Sequence, residues 1–422
     1  MSEVGRTFLL QALDLFASYL FGRTVELEAT PVGIADEIRG DETSRFLREL
    51  ESRHAIACGV RLKEVINAIE RAASSTSALR RAESKGVIRG RLDIPQYIAR
   101  RAAHKSLPRT YPVVVTEEAP DTPENVLVRQ VLRGLASQLS SSPFPRSFVE
   151  GMLSLTLFGW TRSHLQRLPW VEIRRVAPIQ LLQRETLQRI RKRQTGNDLA
   201  YTALIEWSQE WQVDVSKIGT AGKERVLDGL LAFPVGDFFW EKVFEVWCLR
   251  EVVESLQRCG CNITAGPEPL HRRGRGPIYR LTIDEQELEV WFQRQLPMGS
   301  GLWHYESSGD TLKGIPDIVI TSKSNVPLVI DAKFRKVFSE SRSEETYKLL
   351  GYAENFRDAY KDNGFHGVLI FIGDDCSEKV IVGPANGRLS IIVVAENMEN
   401  NNFNNYFDNS MKAWLSRKHS RD

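Results

Sequence analysis

The sequence predicts an α/β protein, α+β overall, in which a helical N-terminal region precedes a mixed β-sheet flanked by helices. Three observations carry this. Apolar residues recur at three- and four-residue spacing through most of the N-terminal half, the period of helices with one buried face. From about Phe238 the chain turns to short β-branched runs. One clear helical stretch, Glu344 to Tyr360, interrupts those runs, and that order describes a mixed sheet with helices against it. At 422 residues, 42% hydrophobic and 26% charged, the chain has the composition of a globular protein of several domains.

Residues 7–22 and 43–82 read as helices, punctuated by Gly33, Gly40 and Gly59. Alternation over Val87 to Pro95 predicts a strand, and Tyr111 to Thr116 a second. Asp121-Thr122-Pro123-Glu124-Asn125 opens a helix. Thr122 suits the N-cap, Pro123 the first helical position, and Glu124 the positive end of the helix dipole. Further helices are expected at 146–157, 178–193 and 198–211, and a strongly amphipathic one from Trp240 to Leu256. Strands follow at Tyr279–Ile283, Leu288–Gln293, Ile318–Thr321, Leu328–Ala332, Gly367–Ile372 and Leu389–Val394. Phe403, Phe407, Met411 and Trp414 recur at helical spacing, so the tail is expected to pack back. The division this suggests is 1–110, a mostly helical domain for partner or DNA docking; 111–232, a helical middle; 233–396, the sheet domain; and 397–422, a helical tail.

Charge is uneven although the net is only +2: residues 1–225 hold 33 basic and 26 acidic side chains. A basic front half suits a polyanionic partner; the plainer alternative is a solvated helical surface. The apolar stretch Phe8 to Phe21, interrupted by Gln11 and Asp14, is too short and polar to span a bilayer. Cys58, Cys248, Cys259, Cys261 and Cys376 form no disulfide framework and have no zinc-ligand spacing. A reduced, cytoplasmic setting without a membrane partner is expected.

The chemistry is concentrated in two segments, Gly314-Ile315-Pro316-Asp317-Ile318-Val319-Ile320 and Val326-Pro327-Leu328-Val329-Ile330-Asp331-Ala332-Lys333. Residues two apart in a strand share a face, so Asp331 and Lys333 stand side by side with Ala332 turned to the core. A tight hairpin would bring Asp317 beside them. Carboxylates converging at a buried strand end repel, and a hard divalent cation relieves them. The cofactor expected is Mg²⁺, with Mn²⁺ able to substitute. Lys333 would then stabilise charge on an attacking water or on phosphate. The structural alternative is an Asp–Lys ion pair at a strand end.

With Pro316-Asp317, thirteen residues, and then Asp331-Ala332-Lys333, the chain resembles the PD-(D/E)XK nuclease superfamily. The resemblance implies a restriction-endonuclease-like fold for 233–396 and metal-dependent endonuclease activity, with Asp317, Asp331 and the Ala332 carbonyl on the metal. It also implies an acidic residue on the preceding helix; Glu245 is the candidate, with Glu241 one turn earlier competing. A helix after the lysine strand commonly carries Gln four residues before Tyr. Here Lys348 replaces the Gln and Tyr352 is in place, so both are accessory candidates, Tyr352 having a core aromatic as its alternative. Arg272, Arg273 and Arg275 are candidate DNA contacts in a basic loop, since the guanidinium fork matches phosphate.

The likeness reaches further. Arg89-Gly90-Arg91-Leu92-Asp93-Ile94, the Asp121–Asn125 segment, and Phe244-Glu245 followed by the Pro316–Lys333 motif and the Tyr347–Tyr352 helix, in that order, resemble the McrC-like nuclease subunit of McrBC-type restriction systems. This implies a DNA-cleaving role in restriction or antiphage defence beside a separate AAA+ NTPase. The chain itself has no GxxxxGK[ST] loop. Self-association stays open. The alternatives are a non-catalytic DNA-binding or scaffold subunit on the same fold, and a nuclease of DNA repair.

Overall fold

The computed structural model describes the chain apart from residues 1, 21–41, 104–108, 141, 146, 213–214, 271–275, 295–301, 308, 310–313, 324–325, 337–340, 358–363, 397–401 and 417–422. In chain order the helices are α1 (Ser2–Ala12), α2 (Ala17–Leu20), α3 (Glu42–Glu70), α4 (Ile94–Ala103), α5 (Pro123–Ser140), α6 (Val149–Leu165), α7 (Ile179–Arg191), α8 (Asp198–Trp211), α9 (Thr220–Leu230), α10 (Asp237–Arg258), α11 (Ser341–Asn355) and α12 (Asn402–Leu415). The strands are β1 (Thr76–Lys85), β2 (Arg91–Leu92), β3 (Thr110–Ala119), β4 (Asn262–Ala265), β5 (Tyr279–Ile283), β6 (Gln286–Phe292), β7 (Ile318–Ser322), β8 (Leu328–Lys336), β9 (His366–Gly373), β10 (Ser377–Val382) and β11 (Arg388–Ala395). The protein is mixed α/β, as its sequence predicts. No helix among the described residues is long and apolar enough to cross a membrane.

By their contacts the described residues fall into two units. The first gathers 2–20, 42–47 and 215–416 around an eight-stranded mixed sheet of order β10-β11-β9-β8-β7-β6-β5-β4. Strand β8 runs parallel to β9, and β9 to β11; the other pairings are antiparallel. Both faces of the central strands are covered, so β7, β8 and β9 are near-continuous apolar runs. Helix α10 packs on β8, and α1 and α12 pack on α10. The expected 1–110 domain differs from this grouping at its start. Phe8 of α1 stacks against Phe244 and Trp247 of α10, with ring centroids 5.1 and 4.5 Å apart, which ties the first helix to the C-terminal half. The tail packs as predicted: Phe403, Phe407, Met411 and Trp414 are all buried.

The second unit, residues 48–212, holds a three-stranded sheet of order β1-β3-β2 and helices α5 to α8. The helix predicted over 43–82 stops at Glu70, and β1 takes its last residues. Ser74, Ser75, Thr76 and Ser77 explain the break, because short hydroxyl side chains compete for helical backbone groups. The strand predicted over 87–95 shrinks to Arg91–Leu92. Gly90 has φ +111°, and a Cβ there would lie 2.7 Å from Val115 Cγ1; Asp93 then starts α4, its Oδ1 accepting the Gln96 N–H. The Thr122 prediction holds, since its hydroxyl accepts the Asn125 N–H at the head of α5. Glu124 is fully buried there and paired with Arg189 at 3.0 Å, a partner helix periodicity does not reveal.

Candidate active site

The site lies in the first unit, where β7 and β8 pair. Ile318 faces Ile330 in an antiparallel register. Asp317, one residue before β7, therefore falls level with Asp331 on β8. The hairpin expectation is met: Asp317 Oδ2 accepts the Ala332 N–H at 2.8 Å. Lys333 lies on the same face of β8 as Asp331. Its Nζ is 2.7 Å from Asp331 Oδ2 and 3.6 Å from Asp317 Oδ2, and it donates to the Ala332 carbonyl at 3.2 Å.

Glu245 comes from α10. Its side chain is buried, whereas Glu241 one turn earlier is exposed, so the helix turns Glu245 inward. Three donations hold its carboxylate. Lys242 Nζ gives 2.8 and 3.0 Å to the two oxygens, and Gln293 Nε2 gives 2.8 Å to Oε2. Thr43 Oγ1 in turn donates to Gln293 Oε1. The Gln293 N–H donates to the Asp317 carbonyl at 2.7 Å, so one residue reaches both the Glu245 side chain and the Asp317 backbone.

Electrostatics follow from this crowding in an apolar layer. Burial, then the charges of Glu245 and Asp331, push the Asp317 carboxyl well above its ordinary range. Burial likewise raises Glu245, against the pull of Lys242. For Lys333 burial works against the ammonium, but Asp317 and Asp331 outweigh it and hold the group charged. Lys242 is raised in the same way, Glu245 opposing its desolvation.

The accessory candidates divide. Lys348 Nζ is 3.7 Å from Asp331 Oδ2 on a half-exposed side chain, so it can reach a phosphate at the rim. Tyr352 packs against the cluster of Leu349, Leu369, Phe371, Leu389 and Ile391 beneath the sheet, the core role given as its alternative. Arg272, Arg273 and Arg275 lie outside the described residues. Lys242, Gln293 and Thr43 are site residues that sequence reasoning missed. Only Lys242 left a signal, at three residues before Glu245 on one helix face.

Asp331 Oδ1 is buried with no hydrogen-bond partner among the described residues. An anionic oxygen left so calls for a cation. Two carboxylates and a backbone carbonyl are the hard oxygen donors that suit Mg²⁺, with water completing the shell. Among the described residues no three His, Cys, Asp or Glu side chains stand together as a ready metal cage. The ammonium of Lys333 occupies the ground between Asp317 and Asp331 instead.

Neither a protein-family model nor a curated protein matches the chain. Among solved structures, the chain is similar to one described as a refined half-complex from a tetradecameric assembly of Thermococcus gammatolerans McrB AAA+ hexamers with bound McrC. The identity is 14%, over 87% of this chain and 68% of that one, with a TM-score of 0.27.

Proposed function

We propose that the protein is a Mg²⁺-dependent endodeoxyribonuclease. The observation that carries this is the convergence of Asp317, Asp331 and Lys333 on one end of the β7–β8 hairpin, with Asp331 Oδ1 buried and unpartnered. Asp317, Asp331 and the Ala332 carbonyl would hold the ion. A bound Mg²⁺ would supply Lewis acidity toward a phosphate oxygen and a water molecule. Lys333 stays protonated between two carboxylates, so it acts by charge, orienting the nucleophile and stabilising the phosphorane rather than removing a proton. In the hydrolysis the water oxygen bonds to phosphorus and releases a proton to solvent, one P–O ester bond breaks, and the departing oxygen takes up a proton from solvent. Glu245, held by Lys242 and Gln293, completes or tunes the cation site. Work within a restriction or antiphage system beside an AAA+ NTPase belongs to the same proposal. It rests on the ordered likeness of 89–94, of 121–125, and of Phe244-Glu245 followed by 316–333 and the Tyr347–Tyr352 helix to McrC-like subunits.

A second reading, a non-catalytic DNA-binding or scaffold subunit, draws on a specific observation. Lys333 pairs with Asp331 and Lys242 with Glu245, at 2.7 and 2.8 Å, so each of these carboxylates has an ammonium partner. Incubating plasmid and linear DNA with Mg²⁺ or EDTA, alone and with a neighbouring NTPase, separates the two. Cleavage that needs Mg²⁺ and disappears in Asp331→Asn supports the nuclease; DNA bound but uncut under every condition supports the scaffold.

A further inference from the structure

The nuclease motif leaves unexplained a buried chain of hydrogen bonds behind it. Thr43, in the first turn of α3, is 3% exposed, and Gln293 and Glu245 are each 6% exposed. The Thr43 hydroxyl donates to Gln293 Oε1, and Gln293 Nε2 donates to Glu245 Oε2 at 2.8 Å. An amide has one accepting and one donating end, so a donor fixed on its oxygen fixes where its NH₂ points. Without the Thr43 hydroxyl the buried amide oxygen loses its donor, and the end of the side chain that aims the NH₂ at Glu245 loses its tether.

Gln293 has a second unusual feature. Its φ is +48°, a left-handed conformation that a non-glycine residue adopts at an energetic cost. This conformation accompanies its N–H donation to the Asp317 carbonyl at 2.7 Å. Glu42, beside Thr43, lies 3.3 Å from Lys242 Nζ, the other group that grips Glu245. The first turn of α3 therefore touches both holders of that glutamate, although 250 residues separate Thr43 from Gln293 in the chain.

We infer that Thr43 and Gln293 are positioning residues that orient Glu245 toward a divalent cation held by Asp317 and Asp331. This rests on the nuclease reading above and adds a contribution to the site from a segment far from the motif. Partners that orient a metal site from behind are worth about 10- to 100-fold in metal affinity or activity.

The test uses the full chain and Mn²⁺ as the probe, its affinity read by calorimetry and the Mg²⁺ dependence of DNA cleavage read alongside. Thr43→Val keeps the shape and removes the donor. It is expected to weaken Mn²⁺ about 10-fold and to move cleavage to higher Mg²⁺, while Thr43→Ser restores both. Gln293→Asn keeps a residue that tolerates a left-handed backbone but falls short of Glu245, and the same weakening is expected. This variant keeps the question open to test should Thr43→Val fold poorly. Folded Thr43→Val and Gln293→Asn proteins with wild-type Mn²⁺ affinity overturn the inference, whether or not cleavage falls. A wild-type chain that neither binds Mn²⁺ nor cuts DNA removes the nuclease reading and this inference together.

Discussion

Lys333 Nζ stands 2.7 Å from Oδ2 of Asp331, a residue with no solvent exposure in the middle of the sheet. Such a pair is asymmetric. Removing the cation leaves a buried charge uncompensated, which costs about 3 kcal/mol or more, whereas neutralising the anion relieves it. Lys333→Met is therefore expected to destabilise the metal-free protein by about 3 kcal/mol, and Asp331→Asn by much less. Both are expected to lose cleavage by about 100-fold or more. Urea unfolding and plasmid nicking on the same samples check this. Wild-type cleavage by a folded Lys333→Met protein would take the lysine out of the chemistry.

Stability is expected to fall with rising pH, and Glu251 on α10 makes this measurable. Burial raises its carboxyl from the ordinary 4.5 to about 7, against Arg250, whose guanidinium lies 2.6 Å away. The folded chain therefore keeps a proton that the unfolded chain releases. The stabilisation is complete below about 4.5 and is lost as pH rises through about 7. Asp317 and Glu245 are raised too and slope the same way. Glu251→Gln should flatten the fall between pH 5 and 8 by roughly 2–3 kcal/mol. An unchanged slope in urea titrations would show that Glu251 ionises normally.

These residues also mark where the sequence was readable. Strands β7, β8 and β9 are apolar on both faces, so their runs stand out, and strand alternation alone puts Asp331 beside Lys333. The hairpin register then fixes Asp317. Helix periodicity favours Glu245 only once the buried face of α10 is known. No local period links Glu245 to Gln293, 48 residues on, or Gln293 to Thr43; tertiary packing creates those bonds. Edge strands β4 and β10 escaped for want of pattern: β4 is four residues long, and the apolar residues of β10, Val380, Ile381 and Val382, form one short exposed run without alternation. The region from Arg71 to Ala103 misled for the opposite reason. Its apolar spacing continues past Glu70 while serines and glycines have already changed the backbone.

Lys348 separates a structural lysine from a substrate contact. Its Nζ is 3.7 Å from Asp331 Oδ2 on a side chain 44% exposed, so its ammonium has little to lose by turning to a phosphate. Each phosphate contact adds about one to the slope of log affinity against log salt. Lys348→Gln is expected to lower that slope by about one for duplex DNA, with Ca²⁺ replacing Mg²⁺ to prevent cutting, and to keep the fold intact. An unaltered slope would leave Lys348 as a partner of Asp331 only.

Gly314 offers a steric test three residues before Asp317. A Cβ there would lie 2.5 Å from Cε1 and 2.7 Å from Cδ1 of Tyr352. The ring cannot readily retreat, because it packs against Leu349, Leu369 and Phe371. Gly314→Ala should therefore cost about 1–3 kcal/mol and shift the chain leading to Asp317, loosening its bond to the Ala332 N–H. Adding Tyr352→Leu frees the space, so the double variant should be more stable than the sum of the two single changes predicts, by about 1 kcal/mol. Unfolding of all four proteins measures that coupling. Strict additivity would mean that the tyrosine ring is not what requires glycine at this position.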